Sequence, residues 1–295
     1  MNKTITYKLK EKTLLFMSFL LVAVLVISSC STDETQTVAT FTELVWQDEF
    51  DTDGSPDPAN WGYEIGTGIN GWGNNELQYY TDRTENATVQ NGILIITAKE
   101  EQFGGASYTS ARLLTRDKIE QAYGRFEARI KVPAGSGVWP AFWMLGADCD
   151  EVGWPQCGEI DIMEYRRQEP TSVSGSIHGP GYSGETNPQG QITKSYDLEN
   201  DRFDASFHVF GIEWGPDYIN YYVDDVLYNQ ITPADLKITP DDGSGELAEW
   251  VFNKPFYIIL NLAIGGAFPG PPNAEEVFPQ RMLVDYVRVY KQSNN

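Results

Sequence analysis

Strict alternation of apolar and polar side chains recurs along this chain. In "YGRFEARIKV" (123–132), Phe126, Ala128, Ile130 and Val132 alternate with Arg125, Glu127, Arg129 and Lys131. A period of two predicts a strand with one face on a core and the other toward water. "FHVFGIEW", "GPD" and "YINYYV" (207–223) predict a hairpin. Asp224 and Asp225 form a second turn, leading into "VLY". "FYIILNLAI" (256–264) is apolar without alternation and predicts a strand buried on both faces. "MLVDYVRVYK" (282–291) adds a last strand, and only "TPADLK" (232–237) suggests a short helix. Many strands at short spacing, with no βαβ rhythm, predict an all-β antiparallel sandwich. No second linker or internal repeat interrupts the chain after residue 41, so 41–293 reads as one domain.

The N-terminus has a different pattern. Lys3, Lys8, Lys10 and Lys12 precede the apolar run "LLFMSFLLVAVLVI" (14–27). That run is too short for a comfortable transmembrane helix and reads as a signal peptide over 1–29. It ends in "ISSC", where small residues before a cysteine resemble the bacterial lipobox. Cys30 is then the lipidated first residue, followed by a polar tether to residue 40. The expected address is an exported lipoprotein, anchored by lipid at the outer membrane or cell surface. An ordinary signal peptide with a chance cysteine is the other reading.

Charge changes the picture next. Formal net charge is −21, from 42 acidic and 21 basic residues, so phosphate backbones are repelled and nucleic acid is a poor partner. Export permits disulfides. Cys149 and Cys157 flank the Gly/Pro loop "DEVGWPQ", and a bridge there pins that loop beside the segment that follows.

That segment, "CGEIDIMEYR" (157–166), carries the candidate chemistry. In a regular strand Glu159 and Asp161 share a face, whereas Glu164, five positions after Glu159, points into the core. A one-residue β-bulge around Ile162 and Met163 restores the phase and brings all three carboxylates to one side. Without it the strand buries a charge at a cost of several kcal/mol. Three close carboxylates repel, so at least one pKa should rise. A retaining glycosidase needs such a pair, one carboxyl ionised as nucleophile and one protonated as acid. An acidic metal site is the alternative, since hard cations bind clustered carboxylates. Against it, zinc would want histidines, and the chain has only His178 and His208.

Two neighbouring stretches suit a sugar. In "GSGVWPAFWMLG" (135–146), Trp139, Ala141 and Trp143 share a face by alternation, offering two indoles with a gap between them. "GINGWGNNELQYYT" (68–81) mixes amides with aromatics. Core packing and an ordinary loop are the plain alternatives.

Over about residues 41–291 the chain resembles glycoside hydrolase family 16, and within it the laminarinase-like β-1,3-glucanases. The E-x-D-x-x-E motif is matched by "EIDIME", with flanking matches in "WQDEFD", "GWGNNELQYY", "TSARLLT", "GVWPAFWMLG", "SIHGPGYSG", "FGIEW", "ILNLAIGG" and "MLVDYVRVY". The resemblance implies a β-jelly-roll of two curved antiparallel sheets with a substrate cleft on the concave face. It implies endo-acting, retaining hydrolysis of β-1,3-glucan by a monomer without a catalytic cofactor. Glu159 would be the nucleophile, Glu164 the acid/base and Asp161 the assisting carboxylate. Trp139 and Trp143 match platform positions, and Asn75, Arg112 and His178 lie in motifs lining the cleft. A structural calcium is implied near Glu49, Gly92 and Asp285. Mixed-linkage glucan, agar and carrageenan remain rival substrates, and a glucan-binding lectin of the same fold is the non-enzymatic rival.

Overall fold

The computed structural model describes residues 40–184, 192–236 and 248–293. The segment expected to be a signal peptide, Cys30 and the expected tether up to residue 39 lie outside the described residues. From Thr40 onward the chain forms one unit. It is a jelly-roll sandwich of two largely antiparallel sheets. One sheet carries the site and is built around four long strands. These are Val138–Gly146 (the tryptophan strand), Glu159–Glu164 (the acidic strand), Ser172–His178 (the histidine strand) and Phe256–Ile264 (the apolar strand). Across the sheet the order runs from Ile192–Asp197 through the histidine, acidic, tryptophan and apolar strands to Arg112–Leu114 and Gly62–Glu64. The other sheet includes Gly124–Lys131 between His208–Gly215 and Gln280–Gln292.

Alternation decides what lies between the sheets. Phe126, Ala128, Ile130 and Val132 enter one core with Phe142, Met144, Ile160, Ile162, Met163, Ile258, Leu260 and Leu262. The apolar strand is buried at all nine positions, as its sequence predicts. Its two faces go to different places. The other alternation set includes Tyr257 and Ile259, which join Leu114, Leu145 and Cys157 in a second, smaller cluster on the site-bearing face.

The hairpin is tighter than its sequence suggests. Gly215 pairs with Tyr218, so the turn is only Pro216 and Asp217. The next turn places Asp224 and Asp225 at φ 48° and 62°, left-handed values that usually favour glycine. Their side chains offset the cost. Asp224 accepts from the Val209 amide at 2.8 Å and pairs with His208 Nδ1 at 2.7 Å, while Asp225 accepts from Arg125 at 2.6 Å. The expected helix at 232–237 is a single 3₁₀ turn, Pro233–Asp235. Glu127 also departs from simple alternation. It is buried, paired at 2.8 Å with Arg125.

Candidate active site

The acidic strand is bulged. Asp161 stands opposite Ser176 and Glu164 opposite Ser174, so one strand advances three residues while its partner advances two. On its other edge Trp143 faces Asp161 and Ala141 faces Glu164, with the same slip. Ile160, Ile162 and Met163 are all in the core. The extra residue thus lets the strand bury every apolar side chain and still present three carboxylates on its other face.

Register then aligns the site in rows. One row runs Glu64, Arg112, Asn261, Ala141, Glu164, Ser174, Ser195 across seven strands. The next runs Ile259, Trp143, Asp161, Ser176, Thr193, and a third runs Tyr257, Leu145, Glu159, His178. The floor is therefore asymmetric. Indoles and Arg112 lie on one side of the carboxylates, and small hydroxyls lie on the other.

Each carboxylate has its own partners. Glu159 Oε2 accepts from Trp154 Nε1 at 2.7 Å. Asp161 Oδ2 is 3.0 Å from His178 Nε2, which lies 3.9 Å from Glu159 Oε1. Glu164 Oε1 accepts from Trp139 Nε1 at 3.1 Å. Burial, and then the Asp161 charge, pushes the Glu159 carboxyl up to about 8, against the pull of His178 and the Trp154 hydrogen bond. Burial and Asp161 likewise push Glu164 up to about 8, and the charge on Glu159 adds to the rise. Burial alone would depress His178. The Glu159 charge, and then the hydrogen bond to Asp161 and its charge, outweigh it and lift the imidazole to about 10, so it is cationic at neutral pH.

The two glutamates titrate as a pair, so the useful question is which loses its proton first. Glu159 has an N–H donor and the nearer cation. Glu164 has an N–H donor and a further acidic neighbour. These surroundings favour the ionised form more at Glu159 than at Glu164.

Glu159, Asp161 and His178 are the one metal-capable group of His, Cys, Asp or Glu among the described residues, with ligand atoms within 4.8 Å of one another. The cationic His178 already balances charge there. The donor set fits an internally neutralised carboxylate cluster better than a cation site.

A family model described as Glycosyl hydrolases family 16 matches residues 74–244, which span the whole acidic strand. The chain belongs to glycosyl hydrolase family 16. A beta-glucanase of Rhodothermus marinus is 42% identical over 288 residues, covering 96% of this chain and 97% of the relative. The solved catalytic domain of an endo-1,3-beta-glucanase (laminarinase) from Thermotoga petrophila RKU-1 is 47% identical. It covers 87% of this chain and 100% of its own, with a TM-score of 0.78. The laminarinase of Flavobacterium sp. UMI-01 is 42% identical over 84% of this chain and 100% of its own, with a TM-score of 0.73.

In this family-16 enzyme the other expected residues have distinct placements. Trp143 Nε1 donates to Asn261 Oδ1 at 2.6 Å, and its ring lies 4.6 Å from the Arg112 guanidinium. Arg112 is buried between Trp143 and Trp72 and paired with Glu64 at 2.6 Å. Asn75 is exposed, in a left-handed conformation, with φ 58°. Its neighbour Glu76 turns inward and accepts from Gln78 at 2.6 Å and Tyr80 at 3.1 Å. Burial raises the Glu76 pKa above the ordinary carboxylate value. Tyr80 also accepts from Asn261 Nδ2 at 3.2 Å, so Trp143, Asn261, Tyr80 and Glu76 form one hydrogen-bonded chain.

Asn261, Glu76 and Trp154 were missed by sequence reasoning. Asn261 had a visible signal as the lone polar residue in "FYIILNLAI". Trp154 sat inside a loop read only as a possible constraint. That loop opens with a helical turn, Cys149–Val152, and Cys149 and Cys157 are joined in the structure.

Proposed function

We propose that this chain is an endo-acting, retaining β-1,3-glucanase, with Glu159 as nucleophile and Glu164 as acid/base. The observation that carries the reading is the bulged strand, which puts three carboxylates on one face and gives each a different partner. In the first step a Glu159 oxygen forms a bond to the anomeric carbon. The glycosidic C–O bond breaks, and the leaving oxygen takes the proton from Glu164. In the second step Glu164, now a carboxylate, takes a proton from water. That water oxygen bonds the anomeric carbon from the face the leaving oxygen vacated, opposite Glu159, and Glu159 leaves. Trp139 and Trp143 provide indole faces beside the acid, and Asn261 and Arg112 hold Trp143 in place.

The substrate class follows from the relatives and from charge. The solved relatives above are laminarinases, and Arg112 is committed to Glu64 and two indoles rather than free for a sulfate. Recognition by stacking and hydroxyl hydrogen bonds fits a neutral glucan. Laminarin is expected to be cut internally to short oligosaccharides with the β configuration appearing first. Mixed-linkage glucan should be cut more slowly, and agarose and carrageenan hardly at all. Initial rates at equal mass, with the anomer followed by NMR, decide it. Faster cleavage of agarose, or an α-anomer first, overturns the reading.

A structural calcium belongs to the same proposal. Asp48 pairs with Val287 and Leu94 pairs with Val284, which brings Glu49, the Asn91–Gly92 turn and Asp285 to one stretch of the Gln280–Gln292 strand. The Glu49 carboxylate is held by Arg288 at 2.7 and 2.9 Å, so that residue would contribute its backbone oxygen. Asp285 uses Oδ2 on Arg129 and would offer its other oxygen. Oxygen donors of this kind suit calcium, whose role there is cross-linking. A chelator should lower the melting temperature of calcium-loaded protein, because a ligand of the folded state stabilises it by mass action. An unchanged melting temperature rules the site out.

A further inference from the structure

The indole of Trp154 donates to Glu159 Oε2 at 2.7 Å from a loop outside the sheet. Trp154 is 50% exposed, and its nearest ring is His178 at a 6.3 Å centroid distance. A half-exposed indole on a loop would ordinarily sample several rotamers. What restrains this one is its covalent frame. Cys149 and Cys157 close a short ring around it. Cys157 is fully buried in the apolar cluster with Leu145, Tyr257 and Ile259, so the base of the ring is anchored to the site-bearing sheet. The approach is close. A Cβ at Gly146 would stand 2.1 Å from the Cys157 carbonyl oxygen, so only glycine fits there. Lys254 ties the ring further, donating to Asp148 at 2.7 Å and to the Gln156 carbonyl at 3.3 Å.

We propose that Trp154 is a positioning residue for the Glu159 nucleophile and that the Cys149–Cys157 bond keeps it in place. This rests on the reading of Glu159 as the attacking carboxylate. With Oε2 held by the indole N–H, the Glu159 side chain is fixed in rotation and the other oxygen is left to attack. The donor also favours the ionised form of a carboxylate that burial otherwise keeps protonated. The other groups facing Glu159 are Asp161 and Glu164 on its own strand and His178 on the next, and none of them belongs to the loop. Opening the disulfide therefore acts on turnover through Trp154.

The test uses the mature protein with laminarin as substrate. Trp154→Phe removes the N–H and keeps an aromatic ring. It should lower kcat about 10- to 100-fold, the range for losing a hydrogen bond to a charged group. KM should stay within about threefold, and the acid limb of the pH profile should move upward. Reducing the wild type with dithiothreitol, or replacing both cysteines by serine, should lower kcat in the same way at temperatures well below melting. In the Trp154→Phe background the same treatment should have no further effect on kcat, because the two changes act through one contact. Reduction lowers the melting temperature in either background and serves as the control that the bond was opened. An unchanged kcat and acid limb in Trp154→Phe overturns the proposal, as does a change confined to KM. Additive losses from reduction and Trp154→Phe overturn the link to the disulfide. Wild-type turnover in Glu159→Ala would instead remove the nucleophile reading, and this proposal with it.

Discussion

Glu159→Ala should abolish hydrolysis, lowering kcat by at least about 10⁴-fold, while the protein remains folded. The covalent step has no substitute nucleophile. Asp161 lies on the same face, but its oxygen is engaged by His178 at 3.0 Å. The fold should survive because Glu159 contributes no apolar packing, and its removal relieves a repulsion. The pH dependence of stability has a definite sign. Burial lifts the Glu159 carboxyl from its ordinary 4.5 to about 8, so the folded state holds a proton that the unfolded chain gives up. Ionisation is then disfavoured by folding, and this site becomes a growing burden as pH rises from about 4.5 toward 8. The alanine variant should accordingly gain melting temperature relative to the wild type, and gain more at pH 8 than at pH 5. Active-site groups often trade stability for function in this direction. Melting curves at the two pH values, beside turnover on laminarin, check both halves. A variant that is folded and still turns over at the wild-type rate would end the assignment.

The sandwich was legible because alternation is a local signal. Phe126 to Val132 states its own burial, and the site strand betrays its bulge through a phase error that only an extra residue repairs. The three carboxylates were legible for the same reason, since the cost of burying Glu164 forces the face on which it lies. Contacts between distant segments were not. Trp154 is five residues from Glu159 in sequence, yet its hydrogen bond depends on how a closed loop folds back over the sheet. Arg112 was expected to line the cleft from its motif, but its contacts are set by Glu64, Trp72 and Trp143 from three other segments. Asn75 was chosen from a motif in which the neighbouring Glu76 makes the buried contacts. A loop with several left-handed residues has no period from which to read the direction of a side chain.

Glu164→Ala separates the two halves of the reaction. On laminarin it should lower kcat by roughly 10²- to 10⁴-fold, the usual range for a lost general acid–base. With an activated aryl leaving group the first step no longer needs the proton, so Glu159 can still form the glycosyl-enzyme. The second step then stalls, because no base remains to activate water. Azide needs no base and is small enough for the space the carboxyl vacates. Its nitrogen bonds the anomeric carbon, the ester bond to Glu159 breaks, and the product is the β-glycosyl azide. The pH profile should change in step. In the wild type, Glu164 must carry its proton to donate it, and burial together with Asp161 holds that proton up to about 8. Activity on laminarin should therefore fall as pH rises through that region, well above the range of an ordinary carboxyl. In Glu164→Ala with the activated substrate and azide, the alkaline limb should disappear while the acid limb, set by Glu159, remains. An α-azide would show that the removed carboxyl was the nucleophile, and an alkaline limb that survives the substitution would show that another group supplies the proton.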